Sequence, residues 1–252
     1  MINNVKNDGK QYLLTANHCV FTDLSNSIAG FNYERLGCGT GAAGSSTSQT
    51  AHGMKLIGRS STSDFALFEV VEKIPQSYNV YLSGWDARVP DQSKSQTYAG
   101  IHHPSGDLKK ISLYTGKLEL ASWAEGPSKK YHLAISRWSR GVTEPGSSGS
   151  PLFNSDGNLI GQLHGGSSSC TNLGGSDLYG GFSFSYGENG SGVSLKSFLG
   201  TRNDLIMPGR NLYPASTNTA TVTVTRTVGA VVSRTRTVAG ACPWVPKGVV
   251  DK

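Results

Sequence analysis

Three stretches of the chain carry side chains suited to nucleophilic chemistry. Thr15-Ala16-Asn17-His18-Cys19 closes an apolar run, Ser63-Asp64-Phe65-Ala66-Leu67 opens one, and Gly146-Ser147-Ser148-Gly149-Ser150-Pro151 is a glycine-flanked serine turn. A nucleophilic serine needs its hydroxyl on a tight turn, with backbone N–H groups aimed where negative charge develops on a substrate carbonyl. Glycines on both sides permit that turn and a close approach of substrate. An imidazole must take the hydroxyl proton, and a carboxylate must hold that imidazole in one tautomer. Read as G-x-S-G, the frame makes Ser148 the nucleophile, His18 its general base and Asp64 the orienting acid. Each element alone has an ordinary reading: a Gly/Ser/Pro loop, a structural histidine, a turn aspartate. Together, in the order His, Asp, Ser at intervals of 46 and 84 residues, they point to acyl transfer.

The surrounding elements place these residues at the ends of rigid segments. Residues 10–16 read as a buried strand running into His18, and 65–71 as a strand that follows Asp64. Further short apolar or alternating runs fall at 54–58, 79–83, 97–102, 111–122, 131–136, 159–163 and 178–186, nearly all separated by turn residues. Only 193–199 reads as a short amphipathic helix, stopped by Gly200. About a dozen short strands and one terminal helix predict packed β-barrels. The Gly/Ser/Thr loop at 37–51 contains a G-x-G-x-x-G match at Gly39, Gly41 and Gly44. Serines and threonines follow it where a dinucleotide site needs a helix, so no cofactor is expected. From about 208 the pattern changes, and 219–238 alternates Thr, Val and Arg with too little apolar content for an independent fold.

Composition narrows the class. The chain has 252 residues, 32 of them Gly, and a net charge of +6. Its basic residues are scattered rather than gathered into a stripe, so nucleic acid is not the expected partner. No run approaches the roughly 18 apolar residues of a membrane span. The first residues lack the basic and apolar regions of a signal peptide, which taken literally reads as cytoplasmic. Cys19, Cys38, Cys170 and Cys242 lack metal-site spacing and look like members of a disulfide set, which belongs to an oxidising compartment. The two signals conflict. No metal is expected.

The order and intervals of His18, Asp64 and Ser148 match the chymotrypsin-like double barrel, and more of the sequence follows. Tyr12–Cys19, Ser63–Leu67, Ser83-Gly84-Trp85-Asp86, Ile101-His102-His103-Pro104, Gly141–Pro151, Gly161-Gln162-Leu163-His164-Gly165-Gly166 and Ser176-Asp177-Leu178-Tyr179-Gly180 resemble the bacterial lysyl endopeptidases. These are secreted serine proteases of the chymotrypsin-like superfamily, and the likeness covers about residues 2–206. It implies an all-β fold of two six-stranded barrels, the first incomplete at its N-terminus, with a short C-terminal helix. Residues 1–206 would form the protease domain and 207–252 a linker or incomplete extension.

The resemblance also implies roles. Backbone N–H groups of Gly146 and Ser148 would form the oxyanion hole. Asp177, 29 residues after Ser148, would receive a substrate Lys; the other reading is a turn aspartate, and Glu144 is the rival acid, its place beside Pro145 favouring a loop role. His164 and Trp123 would stack beside His18 and line the cleft with Gly165 and Gly166. His52, His102, His103 and His132 are expected to be surface or hydrogen-bonded histidines. Ser147 stands where trypsin-type enzymes carry an Asp that pairs with a new N-terminus, so the pocket is expected to assemble without that ion pair. Cys19, Cys38 and Cys170 would bridge to a family segment that precedes this sequence. That implies an N-terminally truncated chain whose signal peptide and pro-region lie upstream, and it reconciles the compartment signals as secretion. The expected partners are polypeptides with Lys at the cleavage site, acted on by a monomer. The competing readings are an Arg- or Lys/Arg-specific protease and a non-catalytic binding module on a protease fold.

Overall fold

The computed structural model describes residues 1–20, 24, 26–37, 48–123, 130–187 and 193–213. In the N-terminal half, β1 (Tyr12–Ala16), β2 (Ile28–Gly30), β3 (Thr50–His52), β4 (Met54–Ser60) and β5 (Phe65–Val70) form two antiparallel sheets, β1-β5-β4 and β2-β3. Strand β5 lies between β1 and β4, and Phe65, Ala66 and Leu67 have no solvent exposure. That is why 65–70 is a continuous apolar run rather than an alternating one. Two short strands follow, β6 (Tyr81–Leu82) and β7 (Trp85–Asp86).

The C-terminal half contains β8 (Gln96–His102), β9 (Lys110–Gly116), β10 (Glu119–Ala121), β11 (His132–Ile135), β12 (Pro151–Phe153), β13 (Leu159–Gly166) and β14 (Asp177–Gly181). They pair antiparallel in the order β10-β11-β14-β13-β12-β8-β9. The two outermost strands, β10 and β9, are joined by only Lys117 and Leu118. Three Cα–Cα steps span at most about 11 Å, so the sheet must curl until its ends meet. Its interior is filled by Tyr98, Leu133, Ile135, Leu152, Leu163 and Tyr179. Helices α1 (Phe182–Tyr186) and α2 (Lys196–Leu199) and strands β15 (Ile206–Met207) and β16 (Arg210–Asn211) complete the described chain. The fold is all-β and chymotrypsin-like; its C-terminal half curls into a barrel, while the N-terminal half is two small sheets.

Three expectations shift. The run 111–122 is two strands, broken at Lys117–Leu118. The run 178–186 leaves the sheet at Gly181, whose N–H donates to Tyr131 O, and continues as α1; Phe182 and Tyr186, four apart, both pack on Trp85. The terminal helix is a single turn, because the Leu195 N–H donates back to Ser185 O and Gly200 ends it at φ 87°. The Gly39–Gly44 motif, Cys38, Cys242 and the 219–238 run lie outside the described residues.

The halves meet across a shared core in which Tyr12, Phe65 and Leu67 from one side pack with Leu159, Phe182 and Leu199 from the other. Buried Gln162 on β13 donates from Nε2 to Ser63 O at 2.7 Å, and Ser185 Oγ donates to Ser63 Oγ at 2.9 Å. The turn carrying Asp64 is therefore fixed to the C-terminal half.

Candidate active site

Asp64 grips the end of β1 at three points. Its carbonyl accepts the Asn17 N–H at 2.7 Å, Oδ1 accepts the His18 N–H at 2.9 Å, and Oδ2 meets His18 Nδ1 at 2.8 Å. The grip requires a left-handed backbone at Asp64, φ 57°, which Asp tolerates better than most residues. Because Oδ2 can only accept while ionised, His18 carries its proton on Nδ1 and presents the Nε2 lone pair outward. Burial pushes the Asp64 carboxyl above its usual range, opposed by the hydrogen bonds from His18.

Ser148 belongs to the loop between β11 and β12 and is positioned by its neighbours. Gly146 has φ 91° and Gly149 φ 78°. The Gly149 N–H donates to Leu163 O at 2.8 Å, and a Cβ there would collide with Thr15 Oγ1. The serine turn thus lies directly against the strand end that leads into His18. Among the described residues, neither the Gly146 nor the Ser148 N–H donates to a protein acceptor. Likewise no hydrogen bond joins His18 Nε2 to Ser148 Oγ. The Ser148 hydroxyl lies beside the Cys19 thiol, whose pKa burial and Asp64 push up against a smaller pull from that hydroxyl. Among the described residues, neither Cys19 nor Cys170 forms a disulfide.

A second imidazole faces the same carboxylate. His164 Nε2 is 3.6 Å from Asp64 Oδ2, its ring stacks on His18 at 5.4 Å, and Trp123 covers its other side at 3.5 Å and 11°. Gly165 makes room for that indole: a Cβ there would come within 3.2 Å of Trp123. His132 Nε2 holds His164 Nδ1 at 2.9 Å. Burial, then the neighbouring imidazoles, lowers His164 to about 3, and burial lowers His132 to about 4. His18, Asp64 and His164 form the one group of three among the described residues whose donor atoms lie within 4.8 Å of one another. Two tetrahedral zinc ligands at 2.0–2.2 Å stand about 3.3 Å apart. The 2.8 Å gap between His18 and Asp64 fits a shared proton and is too short for an ion.

Asp177 opens β14, opposite Gly166 at the end of β13, and has no solvent exposure. Its Oδ2 accepts from Trp138 Nε1 at 2.6 Å, Thr143 Oγ1 at 2.8 Å and Ser168 Oγ at 2.6 Å. Its Oδ1 is buried without a partner, and a side chain at Gly166 would run into it. Glu144 lies in the serine loop, where its carboxylate accepts the Cys170 N–H at 2.6 Å. Trp138, Thr143 and Ser168 were not singled out by the sequence, because polar or aromatic residues 39, 34 and 9 positions before Asp177 carry no spacing signal.

A His–Asp pair and a glycine-flanked serine, brought together from the two halves of a chymotrypsin-like β fold, define the serine-protease class. Within it, residues 1–180 match the family "Lysyl endopeptidase, C-terminal domain", and the chain belongs to that family. The lysyl endopeptidase of Pseudomonas aeruginosa is 29% identical over an alignment of 180 positions that covers 68% of this chain and 37% of that relative. This chain therefore spans little more than a third of the curated relative it matches. Among solved structures, the active form of the Rv3671c protease from M. tuberculosis overlaps 68% of this chain and 64% of its own at 12% identity, with a TM-score of 0.44. The HtrA-type protease AlgW with a tripeptide overlaps 72% and 50% at 17% identity and 0.43. No helix among the described residues is long and apolar enough to cross a membrane.

Proposed function

We propose that this chain is the catalytic domain of a secreted serine endopeptidase that cleaves peptide bonds after lysine. The observation that carries the reading is the Asp64–His18 pair set against the serine turn through the Gly149–Thr15 contact. Substrate binding turns the Ser148 hydroxyl from Cys19 to His18 Nε2; such bonds are commonly long or unformed before substrate arrives. His18 takes the proton as Oγ attacks the scissile carbonyl. The unengaged N–H groups of Gly146 and Ser148 receive the oxyanion. His18 then protonates the departing amine, leaving an acyl-enzyme that water hydrolyses by the same steps. Asp64 holds His18 in the Nδ1–H tautomer throughout. The protease domain reaches at least residue 213 rather than the expected 206, because β15 pairs with β7, β16 pairs with β6, and Met207 and Leu212 are buried.

Specificity rests on the single unpartnered oxygen of Asp177. With Oδ2 already accepting three hydrogen bonds, the carboxylate offers one oxygen, which suits the point charge of a lysine ammonium. An arginine fork gains most from two parallel acceptors, so the pocket discriminates against it. A glutamate side chain would be repelled. His164, stacked between His18 and Trp123, is the wall beyond the catalytic histidine; Gly165 leaves room for the indole and Gly166 for the Asp177 carboxylate.

The test is cleavage of peptide amides ending in Lys, Arg or Glu, with Ser148→Ala as control. Lys cleavage abolished by that substitution supports the reading. Equal Lys and Arg rates would leave a broader trypsin-like protease. Peptide binding by the wild-type chain without any cleavage would indicate a binding module.

A further inference from the structure

Directly beneath the serine turn lies a histidine that the reaction scheme does not use. His102, the last residue of β8, is 2% exposed and sits between two buried serines. Its Nδ1 is 2.9 Å from Ser147 Oγ, and its Nε2 is 2.9 Å from Ser112 Oγ on β9. Ser112 Oγ donates its one proton to Val142 O at 2.9 Å, since a carbonyl cannot donate. Ser112 must then accept from His102 Nε2–H. A neutral ring has one N–H, so Nδ1 is an acceptor and Ser147 supplies the proton. A remaining lone pair of Ser147 Oγ takes the Glu144 N–H at 3.3 Å.

The chain of donors closes in one direction. Glu144 N–H donates to Ser147, whose hydroxyl donates to His102 Nδ1; His102 Nε2–H donates to Ser112, whose hydroxyl donates to Val142 O. One imidazole thereby pins Val142, Glu144 and Ser147, three points along the loop that ends at Ser148. Three residues beyond His102, the Ser105 N–H reinforces the hold by donating to Pro145 O at 2.7 Å. Burial, the largest influence, keeps the ring neutral by lowering its pKa to about 4.

We propose that His102, acting through Ser147, is the positioning residue that holds the Gly146–Ser148 turn in its oxyanion-binding shape. The proposal rests on the serine-endopeptidase reading above. It supplies with neutral hydrogen bonds the support that a buried carboxylate at position 147 would draw from an ion pair. The turn is accordingly built without a charged partner.

The deciding experiment uses Ser147→Ala, which removes one hydroxyl and no packing, together with His102→Gln, which can still donate to Ser112. Three quantities are measured: cleavage of a Lys-ended peptide amide, inhibition by a peptidyl-lysine aldehyde, and binding of n-butylamine. The aldehyde forms a hemiacetal whose oxygen needs the turn, whereas butylamine needs only the Asp177 pocket. Both variants are expected to lose about 10- to 100-fold in kcat and in aldehyde affinity, with KM and butylamine binding within about twofold. Equal loss of butylamine binding would reduce His102 to general support and overturn the proposal. Retention of kcat and aldehyde affinity within twofold would overturn it too. Nitrogen-15 NMR of wild-type His102 gives a check independent of catalysis: the ring should be the neutral Nε2–H tautomer at pH 6, and an Nδ1–H ring would contradict it. A wild-type chain that cleaves nothing would remove the protease reading, while the NMR result would still judge the hydrogen-bond chain.

Discussion

Asp64 Oδ2 lies 2.8 Å from His18 Nδ1, and the other carboxylate oxygen takes the main-chain N–H of the same residue. Asp64 therefore fixes both the position and the tautomer of His18. Asp64→Asn keeps the shape but can offer an N–H where an acceptor is needed, favouring the opposite tautomer. Kinetics on a Lys-ended amide should show kcat about 10³- to 10⁴-fold lower, with KM changed little. A loss under tenfold would show that His18 does not depend on this carboxylate.

Asp177→Asn removes the charge but keeps a group able to pair with Trp138, Thr143 and Ser168. Cleavage after Lys should fall by at least about 100-fold, since a site built around a charge gains little from binding without it. Gly166→Ala should cost a comparable factor by placing a methyl against Oδ1. Unchanged kcat/KM for Lys in both variants would move the specificity acid elsewhere.

His164 is largely enclosed between His18 and Trp123, and that desolvation, with the neighbouring imidazoles, lowers its pKa to about 3. Removing the indole in Trp123→Ala exposes one face of the ring. Its NMR titration midpoint, expected near 3 in the wild type, should rise toward the ordinary 6.5. A midpoint that stays near 3 would assign the shift to the imidazoles alone.

Two buried histidines and the largely enclosed His164 give stability a predictable slope with pH. His102 and His132 sit near 4 and His164 near 3 when folded, all below their unfolded value of 6.5. Between those limits the unfolded chain binds more protons, so stability must fall as pH falls from about 6.5 toward 4. Each group can contribute as much as ~3 kcal/mol to that loss. Urea unfolding midpoints at pH 7 and pH 4.5 would measure it, and equal midpoints would contradict the neutral state of all three.

Cys19 stands beside the Ser148 hydroxyl as a half-buried thiol whose pKa is raised. Alkylation by iodoacetamide should be slow at pH 7 and accelerate toward pH 9 as thiolate forms. Modification there should block cleavage, and the lysine aldehyde should protect it. Full activity after complete labelling of Cys19 would separate the thiol from the cleft.

The reach of the sequence follows from what its signals encode. The strand ends carrying His18 and Asp64 were legible because an apolar run begins or stops beside each polar residue. The serine turn was legible because Gly146 and Gly149 need left-handed backbone. The partners of Asp177 were not, since they arise from register across β11, β13 and β14 and from the approach of the Val142–Glu144 segment. His102 was expected to be surface or hydrogen-bonded. Its burial between two serines depends on β8 pairing with β9, which places Ser112 near it, and on the loop from 142 folding over both. The helix over 193–199 shrank to one turn because Leu195 bonds backwards to Ser185, a choice made by tertiary packing.

Ser63 accepts Gln162 Nε2 at its carbonyl and Ser185 Oγ at its hydroxyl oxygen, while the next residue, Asp64, holds His18. On the proposed reading, acid and base come from one half of the chain and the nucleophile from the other, and the fastening between the halves is one residue away from Asp64. Neither half has a complete set of reacting groups, so activity is a direct gauge of their docking. On gradual denaturation, peptide cleavage should vanish once the Ser63 contacts part, even while the curled sheet around Tyr179 and Leu163 keeps its own shape.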